Sequence, residues 1–191
     1  MGKKALFIVD VQKDFCPGGA LPVPEGDKVV PVINKLMEHF EYVLASKDWH
    51  PPKTKHFEKW PPHCIQGTEG AEFCDGLNAE KITQVFLKGT GTEDDGYSAF
   101  EATNINLEEY LKQHGIDHLY VTGLATDYCV RATTLDALKK GFKVTVVSDA
   151  VRGVDVNPGD VQRAIEEMKQ AGAEFKTSDE VIQELAQAEH V

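Results

Sequence analysis

The chain has 191 residues, 41% hydrophobic and 27% charged, a balance that suits a soluble globular protein with one sizeable core. Its net charge of −11 excludes the basic stripe that a nucleic-acid partner asks for, and its acids and lysines are interspersed rather than blocked into a tail. No apolar run approaches the ~20 residues of a membrane span, so no membrane partner is expected.

The opening residues, MGKKALFIVD, enter a strand at once rather than a signal peptide, and the end, QAEHV, carries no lipidation motif. A cytoplasmic protein is the resulting expectation. Short apolar runs then alternate with amphipathic ones. KALFIVD (4–10), EYVLASKD (41–48), ITQVFLKG (82–89), DHLYVTGL (117–124), FKVTVVSDA (142–150) and a short AEFKT read as six strands. Between them, GDKVVPVINKLMEHF, NLEEYLKQHG, DYCVRATTLDALKKG and DVQRAIEEMKQAG read as helices. Asn106 can cap the second of these, Gly115, Gly141 and Gly172 stand at C-terminal caps, and TSDE is a capping box opening a last helix. This order predicts one α/β domain over 1–191, a three-layer α/β/α sandwich with a mainly parallel six-stranded sheet and helices on both faces.

Two long connections interrupt the rhythm, from Trp49 to about Lys81 and from Gly89 to about Ile105. Both leave carboxyl ends of predicted strands, where open parallel sheets place their ligands. The strands deliver polar residues to that edge: Asp10, then Asp48 with His50 just beyond, then Lys88, while the fourth runs on toward Cys129. Asp48 and His50 are two apart, so in extended chain their side chains share a side. With His63, which follows a double proline, they make three protein ligands and leave positions open for water or substrate. Taken alone, the Asp-x-His spacing favours a turn-capping Asp48 beside surface histidines. Whether His56 or Glu58, lying between these ligands, joins them is left open.

Cys129 sits in the first turn of a predicted helix, whose positive end favours thiolate by ~0.3–1 kcal/mol at exposed sites. Asp10 is placed to accept its proton and Lys88 to stabilise the resulting charge. Backbone amides at the GLAT turn just before it can bind an oxyanion. The four cysteines, Cys16, Cys64, Cys74 and Cys129, form no C-x-x-C pair and do not look like a disulfide scaffold. A zinc knuckle from His63, Cys64 and Cys74 lacks a paired-ligand signature.

FIVDVQKDFCPGGALPV, SKDWHPP, WPPHCIQGTEGAEF, FLKGTGTEDDGYSAF and VTGLATDYCVRATTLDALKKGFKVTVVSDAVRG together closely resemble the nicotinamidase branch of the isochorismatase-like hydrolases, from about Ala5 to about Glu174. The resemblance implies the isochorismatase-like hydrolase fold and an Asp-Lys-Cys triad at Asp10, Lys88 and Cys129. It implies a divalent metal on Asp48, His50 and His63, with zinc favoured and iron or manganese also suited to that donor set. It further implies a cis peptide between Leu124 and Ala125, an oxyanion hole from the Ala125 and Cys129 amides, and pocket walls at Phe15, Trp60 and Tyr97. Cys16, Cys64 and Cys74 match no catalytic position and read as structural. The activity implied is hydrolysis of nicotinamide, and of pyrazinamide, through a thioester in pyridine nucleotide salvage, by a chain that relatives suggest self-associates. The alternatives are another amidase of the superfamily and a non-enzymatic metal-binding domain; an isochorismatase needs no thiol at Cys129.

Overall fold

The computed structural model describes residues 2–189; Met1, His190 and Val191, and with the last two the end of QAEHV, lie outside the described residues. Six strands form one sheet: β1 (Lys3–Val9), β2 (Tyr42–Asp48), β3 (Gln84–Lys88), β4 (Ile116–Leu124), β5 (Lys143–Arg152) and β6 (Glu174–Lys176). Their order is β3-β2-β1-β4-β5-β6, and every neighbouring pair is parallel. The predicted sheet is therefore present with all six strands.

Strand residues divide between two cores by alternation. Leu6 and Ile8 of β1 enter one apolar cluster, and Ala5, Phe7 and Val9 enter the other. Burial on both faces is why the strands read as continuous apolar runs instead of alternating ones. Helices α1 (Val29–Met37) and α5 (Ser178–Glu189) pack on the first face through Ile33, Leu36, Val181 and Leu185. Helices α2 (Leu107–Gln113), α3 (Arg131–Lys139) and α4 (Asp160–Gln170) cover the second through Leu107, Leu111, Ala137, Ala164 and Met168.

The predicted caps close as drawn. Asn106 accepts from the Glu109 amide at 3.0 Å, and Thr177 and Glu180 exchange reciprocal bonds of 3.2 and 2.9 Å. The helix expected from Asp127 starts differently. Thr126–Val130 is a wider π-helical turn, closed by the Val130 amide on the Ala125 carbonyl at 3.1 Å, and regular α3 begins only at Arg131.

The cysteines correct the reading of separate structural thiols. Cys16 and Cys74 are joined as a disulfide across 58 residues of sequence, which also removes Cys74 from any zinc knuckle. The pairing was hidden because its halves lie in different connections, which a bridge between Gln12 and Phe73 brings side by side. Cys64 remains a buried free thiol. Opening the disulfide, with a dithiol reductant or by Cys74→Ser, is expected to lower stability by about 4 kcal/mol from loop entropy. Denaturant midpoints of oxidised and reduced protein check this, and coincident midpoints refute it.

Candidate active site

The strand order reverses between β1 and β4, and a crevice opens at the carboxyl ends beside that switch point. Asp10 follows β1 directly, with its backbone turned into the left-handed region at φ 50°. Beneath it, Gly123 of β4 pairs with Val9 at φ 111°, and a Cβ there would run into the Val9 carbonyl. Only glycine lets β4 approach so closely. Asp48 and Lys88, the last residues of β2 and β3, are partners in register. Cys129 stands in the π-helical turn after β4.

The Lys88 ammonium is fully buried and joins these ends. Its Nζ donates to Asp10 Oδ2 at 2.7 Å, Asp48 Oδ1 at 2.5 Å and the Gly96 carbonyl at 2.8 Å, and lies 3.3 Å from Cys129 Sγ. Burial alone would lower its pKa, yet Asp10 and Asp48 hold it well above the ordinary lysine range. The two carboxylates are pulled apart. Burial and the nearby Asp48 charge push Asp10 up to about 6 against the pull of Lys88. Burial acts on Asp48 too, but the Lys88 charge overrides it and holds that carboxyl below its usual range. Burial pushes the Cys129 thiol well up, opposed by Lys88, so the resting pair is a thiol beside a carboxylate. Ser46 Oγ donates to the other Asp10 oxygen at 2.7 Å. Gln12 brackets Asp48 by accepting from its amide and donating to its carbonyl, both at 2.9 Å.

His50 and His63 lie against Asp48, their Nε2 atoms 3.5 and 4.0 Å from its Oδ2. His56, which the sequence left undecided, is stacked on His50 with ring centroids 4.5 Å apart and completes a cluster of three buried imidazoles. Glu58 is exposed and outside that cluster. Each imidazole has Nδ1 on an oxygen: the Gly89 carbonyl for His50 at 2.8 Å, the Pro61 carbonyl for His63 at 2.7 Å, and Asp95 Oδ1 for His56 at 2.7 Å. Carbonyl and carboxylate oxygens only accept, so Nδ1 carries the proton and Nε2 offers its lone pair. His50 Nε2 is buried with no hydrogen-bond partner. An orphaned lone pair beside a carboxylate and two further imidazoles fits a divalent ion.

A cavity of about 50 Å³ runs from this cluster to Cys129. Phe15, Trp60 and Tyr97 line it, with Trp60 Nε1 donating to the Tyr97 hydroxyl at 3.0 Å. Ala125 lines it as well, and the peptide joining Leu124 to Ala125 is cis. Sequence reasoning missed Leu21, Val23, Tyr128 and Val154, which complete the apolar walls. Tyr128 was within reach, being next to Cys129 in DYCV; the other three carry no chemical signal.

The isochorismatase domain profile matches residues 4–180. The chain belongs to the isochorismatase family. Within that family it is 43% identical to the nicotinamidase of Escherichia coli (strain K12), over 93% of this chain and 96% of that protein. A nicotinamidase/pyrazinamidase structure from Acinetobacter baumanii superposes with a TM-score of 0.89 at 40% identity, covering 95% of this chain and 99% of that one. The pyrazinamidase of Pyrococcus horikoshii, solved in complex with zinc, gives 0.83 at 44% identity, covering 92% and 99%. The family match extends over both long connections and every strand end described above.

Removing Lys88 would leave two buried carboxylates without their cation. Lys88→Met is expected to cost about 3–5 kcal/mol, as for other broken buried pairs. Chemical denaturation at neutral pH measures it, and a wild-type midpoint would refute the pairing.

Proposed function

We propose that this isochorismatase-family chain is a cysteine amidohydrolase that converts nicotinamide to nicotinate and ammonia, and accepts pyrazinamide, in pyridine nucleotide salvage. The observation that carries this reading is the Lys88 ammonium touching Asp10, Asp48 and Cys129 beside an aromatic-walled cavity lined also by His56 and His63 of the imidazole cluster. A non-enzymatic metal-binding domain has no use for a thiol, acid and amine held this way.

In the proposed reaction Phe15, Trp60 and Tyr97 hold the flat ring, which brings the carboxamide carbon to Cys129 and makes the attack effectively intramolecular. Asp10 takes the thiol proton as sulfur adds to that carbon, and Lys88 offsets the thiolate charge as it develops. The Ala125 and Cys129 amides bind the oxyanion. Asp10 returns the proton to the departing nitrogen, ammonia leaves, and an acyl thioester remains on Cys129. Water, deprotonated by Asp10, then releases the carboxylate and restores the thiol. Asp48, His50 and His63, joined by His56, are the residues that would hold a divalent ion, which supplies a Lewis-acid site for the ring nitrogen. Zinc is the ion we assign. The mixed imidazole and carboxylate donors suit it, as they do iron and manganese, and the Pyrococcus horikoshii relative was solved with zinc. We assign the whole chain, 1–191, to one catalytic domain, cytoplasmic and self-associating; among the described residues no helix is long and apolar enough to cross a membrane.

Ammonia release from nicotinamide tests the reading directly. Cys129→Ala is expected to fold normally and lose nearly all turnover, and comparable activity in the folded variant would sink the mechanism. The pH profile provides a second test. Asp10 works as a base only when ionised, and its pKa is up at about 6 from an ordinary 3.8, so kcat/KM is expected to fall as pH drops through about 6. An acid limb near pH 4 would remove Asp10 from that role.

A further inference from the structure

Two of the three clustered imidazoles rest their Nδ1 on neutral backbone carbonyls, whereas His56 rests its own on a carboxylate. Asp95 Oδ1 lies 2.7 Å from His56 Nδ1, and Lys59 Nζ donates to Asp95 Oδ2 at 2.9 Å, so both carboxylate oxygens are committed. Asp95 belongs to the second long connection and His56 to the first. The two connections are already tied without Asp95: the Lys55 amide donates to the Thr92 carbonyl at 2.9 Å, and Lys55 Nζ pairs with Glu93 at 2.7 Å. The Asp95 charge is therefore not needed as a latch. A carboxylate behind an imidazole fixes its tautomer and makes the opposite nitrogen a stronger donor than a neutral carbonyl does.

We propose that Asp95 is a positioning residue that turns His56 into a full fourth ligand and thereby sets the affinity of the site for a divalent ion. The inference rests on the metal site proposed above. Its effect passes through one bond, from Asp95 to His56 Nδ1–H, and through that ring to Nε2.

The test is zinc binding by the chelator-stripped full chain, measured by competition with a chromophoric chelator, with the visible spectrum of the cobalt(II)-loaded protein as a report on ligand number. Asp95→Asn keeps an acceptor for Nδ1–H but removes the charge, and is expected to weaken zinc binding about 10- to 100-fold. Asp95→Ala, which removes the acceptor as well, is expected to weaken it at least as much and serves if the Asn variant folds poorly. In a His56→Gln background, replacing Asp95 is expected to change zinc affinity no further, because the path to the ion is already gone. Wild-type affinity in folded Asp95→Asn overturns the proposal. So does an equal loss in both backgrounds, which would mean that Asp95 acts through the loops or by long-range charge. If the wild-type chain takes up no zinc or cobalt, the metal-site reading itself fails, a result seen before any variant is compared.

Discussion

A single buried ammonium holds this crevice together. Lys88 sends its charge to the ends of β1 and β2, donates to the Gly96 carbonyl in the second long connection, and lies against the sulfur that follows β4. A lysine without exposed surface is tolerated only when its donors are used and its charge is balanced. Here two carboxylates oversupply the balance. The excess negative charge is what leaves room for a further cation nearby, and what keeps one carboxylate close to its proton.

That surplus divides the labour. Asp48 has the Lys88 ammonium on one oxygen, so it stays ionised and suits a ligand. Asp10 shares the same ammonium but is fully buried next to a charge of its own sign, and its pKa is pushed up to about 6. Two residues of one type acquire opposite properties from a difference in neighbours, the usual route to separate acid, base and anion roles in one pocket. Ser46 then fixes the Asp10 carboxylate directly, and Gln12 fixes the Asp48 main chain from which the other carboxylate projects.

Much of this was legible because a parallel sheet turns sequence position into spatial position. Asp10, Asp48 and Lys88 each close an apolar run, so the strand pattern alone sent them to one edge, and Cys129 followed from the next strand. The Asp48 and His50 pair was visible through period-two alternation. His56 was not, because it lies in an irregular stretch with no period to assign its direction. Asp95 gave no signal either: its meaning depends on a histidine 39 residues away in another connection. The Cys16–Cys74 pair failed to announce itself for the same reason, and the π-helical turn at Thr126–Val130 has no sequence mark distinguishing it from the first turn of α3. Strands and helix bodies are set by local periodicity and show in the sequence; contacts between separate connections do not.

The disulfide has a topological consequence. It closes a covalent ring from Cys16 to Cys74, and within that ring lie β2 and the four donors proposed for the metal, Asp48, His50, His56 and His63. A single peptide-bond cut anywhere in the exposed part of the first connection, such as Pro52–Lys53, opens the ring without releasing a fragment. The nicked molecule keeps every donor tethered on both sides of the cut and gains only the mass of one water. The donor-bearing half of the pocket is thus built as a loop with two covalent routes between any of its residues.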